Sequence, residues 1–319
     1  MFKSGSRRQF FAGSLASGLG AALFTSLVVE NAQASDEKMI PLWKQYYNGS
    51  MGIFTGLRDT QAGLIEREMK TALDRIKKGG AIYSQITAGH FPTEETALDR
   101  IGNPGVLAFL ERNAKEDVYN KLDPNDMIIT NTINLNNINA MKRGIRVVGV
   151  TVNYYPFSET PPEEGYQIEY EGKILHIEDT VNVTVYSQTP WYNGLVRDPN
   201  LNFAIIPGGG FAQAAVYWMT AAELTGLRSL KKRESGSGWA KSYIDKCIEK
   251  LLMAGQDRPK FEVVGKKLAD LVLRGAKWWV FGASHALVSD AVGVANGPRI
   301  TRPYKADQVK EGDIVLIGA

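Results

Sequence analysis

Short apolar runs alternate with amphipathic segments along most of the chain. Residues 60–78 place apolar side chains at every third or fourth position and stop at Gly79 and Gly80, which predicts an α-helix. The runs AIYSQIT, MIIT and RVVGVTV are candidate buried strands, and a short helix that ends at Gly144 separates the last two. Near-continuous apolar strands joined by helices predict an α/β fold whose parallel sheet is covered by helices.

Further elements follow from local patterns. A helix is predicted near residues 38–47, before the stronger one. YQIEYEGKILHIE alternates apolar and polar residues around a central Glu-Gly, which is typical of a β-hairpin. TVNVTVYS and FAIIP are strand candidates, and a glycine turn and a helix follow the second of them. KKRESGSG (231–238) has the composition of a linker.

Two segments of the chain resemble each other. KTALDRIKKGGAIYSQITAGH (70–90) parallels GKKLADLVLRGAKWWVFGASH (265–285). The matched positions, 195 apart, include Gly80 with Gly275 and His90 with His285. Further on, PNDMIIT parallels EGDIVLI, where Asp126 and Asp313 are 187 apart. We therefore predict a partial second copy of one α/β unit; two unrelated units of generic α/β type are the alternative.

The N-terminus has the order of a signal peptide. A basic segment containing SRRQFF precedes an apolar stretch from Phe10 to Val29, and Ala32 and Ala34 form an A-x-A cleavage site. The paired arginines resemble the twin-arginine (Tat) export signal, which implies passage through the Tat translocase and a periplasmic or other extracytoplasmic location. An uncleaved N-terminal anchor is the alternative. The predicted organisation is a signal peptide at 1–34, an α/β domain at 35–230 and a partial second unit at 239–319.

Composition narrows the function classes. The net charge of +3 and the 44% hydrophobic content are ordinary for a globular protein, so no nucleic-acid partner is expected. The single cysteine, Cys247, cannot form an internal disulfide. Three histidines without a metal-binding motif predict no metal site, and no cofactor is expected.

Three segments of the chain resemble one known protein family. KKGGAIYSQITAGHFPTEE, NDMIITNT with NAMKRGIRVVGVT, and DTVNVTVYSQTPWYNGLV are similar to successive parts of the SIS (sugar isomerase) phosphosugar-binding domain. The resemblance covers most of 60–226 and, faintly, 240–319. It implies a three-layer αβα sandwich of flavodoxin-like type with a mainly parallel sheet. It also implies a ligand at the carboxyl ends of the strands, and a homodimer or paired domains.

The loop that follows MIIT is the first candidate site. Thr130, Asn131, Thr132 and Asn134 lie where SIS domains hold phosphate, and hydroxyl and N–H groups at a helix N-terminus suit an anion. Ile133 stands where that family has glycine. The alternatives are an uncharged sugar ligand and a polar turn in which an asparagine caps the helix.

The second candidate site is a group of three residues that could act as general acid and base. His90, Glu94 and Glu95 supply an imidazole and two carboxylates, the groups that move protons in aldose–ketose isomerisation. The alternatives are ligand binding without chemistry and two carboxylates that only favour a helix N-terminus.

Three functions remain open. The first is an exported sugar- or sugar-phosphate-binding protein of SIS type. The second is a sugar phosphate isomerase or lyase. The third is a non-catalytic structural or assembly protein that retains a degenerate SIS site.

Overall fold

The fold is an α/β sandwich built on one parallel sheet. The computed structural model describes residues 40–85, 102–111, 114–153, 168–190, 194–198, 204–206, 208–229, 238–282 and 301–318. Its α-helices are α1 Leu42–Gly56, α2 Ala62–Lys77, α3 Glu116–Asn120, α4 Leu135–Lys142, α5 Gly209–Ser229, α6 Trp239–Gln256 and α7 Arg258–Leu273. A π-helical turn, Leu57–Gln61, joins α1 to α2, and a 3₁₀-helix spans Ile177–Thr180.

Within the described residues, the strands form one large and three small sheets. They are β1 Ile82–Gln85, β2 Ala108–Phe109, β3 Met127–Thr130, β4 Arg146–Asn153, β5 Ile168–Tyr170, β6 Lys173–Leu175, β7 Val183–Pro190, β8 Val196–Arg197, β9 Ala204–Ile205, β10 Trp278–Gly282, β11 Thr301–Pro303 and β12 Ile314–Gly318. The large sheet has the order β2-β1-β3-β4-β7 and every pairing in it is parallel. Counted along the chain this order is 2-1-3-4-5, the order of flavodoxin-like sheets. The predicted α/β fold with a parallel sheet covered by helices is confirmed.

Helices cover the large sheet on both faces. One face packs against α1, α2, α5 and α6 in a core that includes Ile65, Met69, Met127 and Ile129. The other face packs against α3 and α4 through Ile128, Val147 and their neighbours. Because successive strand residues point to opposite faces, Ile128 and Ile129 lie in different cores and both are buried. A strand buried on both faces explains the unbroken apolar run MIIT.

Local sequence signals place several of these elements. The predicted hairpin is confirmed, because β5 and β6 pair antiparallel across a turn with positive φ at Glu171 (50°) and Gly172 (72°). The predicted bounds of the first helix were wrong, since α1 runs from Leu42 to Gly56 rather than over 38–47. Among the described residues, no helix has the length and apolar character needed to span a membrane.

A separate parallel sheet, β11-β10-β12, follows α7. Asp313 accepts hydrogen bonds from the N–H groups of Lys277 (2.9 Å) and Lys310 (3.0 Å) where this sheet begins. Asp126 accepts from Ala81 (2.7 Å) and Asp123 (2.7 Å) in the large sheet. The two carboxylates therefore hold the starts of β10 and β1 in the same way.

The structure shifts the internal alignment by one position. Gly79 and Gly275 each follow a helix with a left-handed φ, of 92° and 91°, and they are 196 positions apart. The sequence comparison had matched Gly80 with Gly275, at 195. Only a glycine adopts this conformation without strain, so the φ angles match Gly275 with Gly79 rather than with Gly80. Helices α2 and α7 both have 16 residues, and they start 196 positions apart.

Candidate functional site

Buried polar side chains gather at the carboxyl edge of the large sheet. Parallel strands end at the same edge, so the last residues of β1, β3, β4 and β7 lie side by side, and Gln85 pairs in register with Thr130. Five polar residues at this edge are each at most 3% exposed: Gln85, Thr130, Thr151, Ser187 and Thr189. Buried polar groups of this density require mutual hydrogen bonds, and these define the candidate site.

Gln85 occupies the centre of the first hydrogen-bond network. Its Nε2 donates to the Glu111 carbonyl (2.8 Å) and to the Tyr119 hydroxyl (2.9 Å). Its Oε1 accepts from the Thr130 hydroxyl at 2.9 Å. The Thr130 oxygen in turn accepts from the Thr132 N–H at 3.1 Å. Thr130 therefore fixes the loop that follows β3, and its side chain is fully buried.

Tyr119 joins β1 to the loop and to α4. Its hydroxyl accepts from Asn134 Nδ2 (3.1 Å) as well as from Gln85, and its single proton can be donated to Asn137 Oδ1 or to Gln85 Oε1, each at 3.2 Å. Burial raises the pKa of Tyr119, so the phenol stays neutral and remains a donor near neutral pH. No sequence motif indicated this tyrosine, because it lies on a short helix between two strands of the sheet.

The predicted anion loop lies at the N-terminus of α4. Asn134 caps the helix, since its Oδ1 accepts from the Asn136 N–H at 2.9 Å. Asn131 is buried and donates to Gln213 Oε1 at 2.8 Å, which ties the loop to the first turns of α5. Thr132 and Asn134 are half-buried and are the most accessible of the four predicted ligand residues. Ligand binding by the four residues stays a prediction.

The carboxyl end of β7 has an irregular backbone. Gln188 has a φ of 61°, which is uncommon for a residue other than glycine, and the β4–β7 register shifts between Thr151 and Asn153. The π-helical turn packs beside this point, where Gln61 Oε1 accepts from the Tyr186 N–H at 3.1 Å. Bulges, π-turns and strained residues are frequent at functional sites. No sequence pattern indicated these irregularities.

Charged side chains hold the opposite, amino edge of the sheet. Arg146, the first residue of β4, makes two hydrogen bonds to Glu68, at 2.8 and 3.0 Å. Arg75 donates to the carbonyls of Asp126 (3.0 Å) and Gly144 (3.1 Å). At the carboxyl edge, by contrast, the networks are made of amides and hydroxyls. Such groups both donate and accept, and they match the hydroxyl groups of a sugar.

The predicted acid–base residues His90, Glu94 and Glu95 lie outside the described residues, so their role stays a prediction. In the described part of the chain, no group of three or more His, Cys, Asp or Glu side chains is arranged to bind a metal ion.

The fold and this edge together define a class of protein: an α/β protein with an open parallel sheet and a polar carboxyl edge, where such sheets bind their ligands. No family model matches the chain, and no curated protein matches it significantly.

Proposed function

We propose that the chain is an exported, SIS-type protein that binds a sugar or sugar phosphate at the carboxyl edge of its large sheet. The observation that carries the proposal is the buried network of Gln85, Thr130, Asn131 and Tyr119 at that edge. Buried polar groups of this kind fix the position of a loop. The loop they fix is Thr132–Asn134, which presents half-buried hydroxyl and amide groups.

Two features support a hydroxyl-rich ligand. The side chains of the network are uncharged amides and hydroxyls, which exchange hydrogen bonds with sugar hydroxyls in either direction. The loop also precedes α4, whose first N–H groups and dipole favour a negatively charged group. A phosphorylated sugar would use both features, and an unmodified sugar would use the first.

The partial second copy and the SIS-type classification of the fold are part of the same proposal. We interpret α7 with the sheet β11-β10-β12 as a partial second copy of the unit formed by α2 with β2-β1-β3. In both units the first strand lies between the next two strands, and an aspartate holds the start of that first strand. The strand order of the large sheet supports a flavodoxin-like sandwich of SIS type.

The experiment is a thermal-shift titration of the chain from Ser35 with sugars, sugar phosphates and inorganic phosphate. A ligand at 100 times its Kd adds about 2.7 kcal/mol of stability, which raises Tm by roughly 5–10 °C for a domain of this size. Product analysis of the same mixtures distinguishes binding from isomerase or lyase activity. The absence of a shift with every ligand would contradict the proposal.

A matched pair of variants tests the position of the site. Thr132→Val removes an accessible hydroxyl of the loop with little change of shape, and it should reduce the ligand-induced shift by at least about half. Thr71→Val makes the same change on α2, where the hydroxyl bonds only its own helix, and it should leave the shift unchanged. An equal ligand-induced rise in Tm for the two variants would show that the loop is not part of the binding site.

A further inference from the structure

A hydroxyl and a carboxylate meet beside the carboxyl edge of the large sheet, outside the network centred on Gln85. Tyr186, near the end of β7, donates its hydroxyl to Glu178 Oε1 on the 3₁₀-helix. The two oxygens are 3.5 Å apart, which is longer than an ordinary O–H···O hydrogen bond of about 2.7 Å. Both residues are half-buried. The two groups therefore keep hydrogen-bonding capacity for a ligand.

The strand register places Tyr186 on the same face of the sheet as Thr130. Residues paired across parallel strands point to one face, as do residues two apart on a strand. Thr130 pairs with Gly149, and Thr151, two residues further along β4, pairs with Tyr186. Thr130, Thr151 and Tyr186 thus all point to the face that α3 and α4 cover. In the sheet, β4 separates β3 from β7, so Tyr186 lies two strand spacings, about 10 Å, across the sheet from Thr130.

The 3₁₀-helix brings Glu178 to this same face. A Cβ on Gly149 would lie 3.0 Å from the Val181 side chain, so the 3₁₀-helix and the residue after it rest directly on β4. Ile177, the first residue of the 3₁₀-helix, is fully buried in the core on the α4 side. Glu178 is therefore on the same side of the sheet as α4 and the loop that precedes it.

The surroundings of Glu178 disfavour its charged form. Burial raises the pKa of this carboxyl group and the neighbouring Asp179 raises it further, whereas the imidazole of His176 and the Tyr186 hydroxyl lower it. Asp179 is engaged in its own turn, where it accepts from the His176 N–H at 2.8 Å. Half-buried carboxylates with raised pKa values are common at functional sites.

We propose that Glu178 and Tyr186 form the second half of the ligand site and bind the hydroxyl groups of a sugar phosphate. The carboxylate accepts charge-assisted hydrogen bonds from the sugar, and the phenol both donates and accepts. The phosphate lies at the other end, at the first N–H groups of α4, and the sugar crosses β4 between the two ends. The proposal rests on the sugar binding proposed above and adds the class of ligand and its orientation.

Charge fixes this orientation. A phosphate beside Glu178 would be repelled by that carboxylate and by Asp179, whereas the first turn of α4 contains no acidic residue. Two strand spacings exceed the size of a free phosphate ion, so inorganic phosphate reaches the α4 end alone, and a sugar phosphate reaches both ends. The two ligands therefore respond differently to changes at Glu178.

Isothermal titration calorimetry of the chain from Ser35 tests the proposal with two probes. They are the sugar phosphate that raises Tm most in the titration above, and inorganic phosphate. Glu178→Gln should weaken binding of the sugar phosphate at least about ten-fold, because it removes the charge from a charge-assisted hydrogen bond. Tyr186→Phe, which removes a neutral hydroxyl, should weaken it about three-fold or more. Both variants should bind inorganic phosphate within about two-fold of the unaltered chain.

Glu169→Gln and Tyr304→Phe are the matched controls, since they make the same changes at exposed positions, and they should leave both affinities unchanged. Circular dichroism checks that every variant folds. Unchanged affinity for the sugar phosphate in both site variants would overturn the proposal. An equal loss of affinity for inorganic phosphate would also overturn it, because the variants would then act through the loop before α4. The absence of binding to the unaltered chain would instead overturn the sugar-binding function on which the proposal rests.

Discussion

Removal of the Tyr119 hydroxyl tests the network that carries the proposed function. Tyr119→Phe keeps the buried ring and deletes only the oxygen that joins Gln85, Asn134 and Asn137. Gln85 keeps the Glu111 carbonyl as a partner for its amide, and Asn134 is half-buried and can bind water. Asn137 is fully buried and loses the donor to its Oδ1.

The expected loss in the free energy of unfolding follows from the hydrogen bonds that these partners lose. A buried polar atom without a partner costs about 1–3 kcal/mol, and here one atom loses its donor completely while two others lose one bond each. We therefore expect the free energy of unfolding to fall by about 2–4 kcal/mol, a large part of the roughly 5–15 kcal/mol of an ordinary domain. The ligand-induced rise in Tm should also disappear, because the loop that follows β3 loses its support.

The assay is urea unfolding followed by circular dichroism, with the free energy taken from the midpoint and slope. Tyr304→Phe is the control, since this residue is 38% exposed and directly follows β11, outside the network. The control should change the free energy by less than about 0.5 kcal/mol. A loss below about 1 kcal/mol for Tyr119→Phe would refute the reasoning, because water would then replace the hydroxyl without penalty.

Three further predictions concern single carboxylates. Hydrogen bonds from Trp279 and from two backbone N–H groups lower the pKa of Asp313 to about 2. Its stabilising effect is therefore present above the unfolded pKa of about 3.9 and is lost as the pH falls towards 2. Trp279 fluorescence should report an acid transition in that range, and Asp313→Asn should abolish it; an unchanged transition would exclude this carboxylate. Burial raises the pKa of Glu178, so its ionised form opposes folding, and Glu178→Gln should raise Tm at pH 8 but not at pH 4. An equal effect at both pH values would show that ionisation is not the cause. If the protein turns over a sugar, Glu95→Ala should abolish turnover and leave the circular dichroism spectrum unchanged, whereas retained turnover would remove Glu95 from the mechanism.

The strands of the large sheet could be predicted because burial on both faces leaves a continuous apolar run. MIIT and RVVGVTV show this pattern, and both are strands in the structure. The extent of α1 could not be predicted, because Gly49, Gly52 and Gly56 lower its intrinsic helix propensity. Packing overrides that preference: a Cβ on Gly49 or Gly56 would lie within about 3 Å of Leu195 or Gln188, so the glycines permit close contact.

The candidate site, too, could be predicted from the sequence only in part. Thr130 and its loop were identified because a polar segment follows an apolar strand. Gln85 and Tyr119 were missed, since only the strand register and the position of α3 bring them to Thr130. In the structure the Thr130 hydroxyl donates to Gln85, a partner that the sequence did not indicate, and its binding of a ligand stays a prediction. A residue type and its place after a strand do not reveal which neighbour uses its hydrogen-bonding capacity.

Helix α6 completes the core of the first unit although it lies after all the other segments of that core in the chain. Ala240 and Ile244 are fully buried among residues of α1, α2 and α5. During synthesis, this part of the core is therefore completed only after α6 has left the ribosome, and the side chains of α5 that α6 covers stay open to solvent or chaperones until then. We therefore expect a chain interrupted between α5 and α6 to be more sensitive to proteolysis than the full chain.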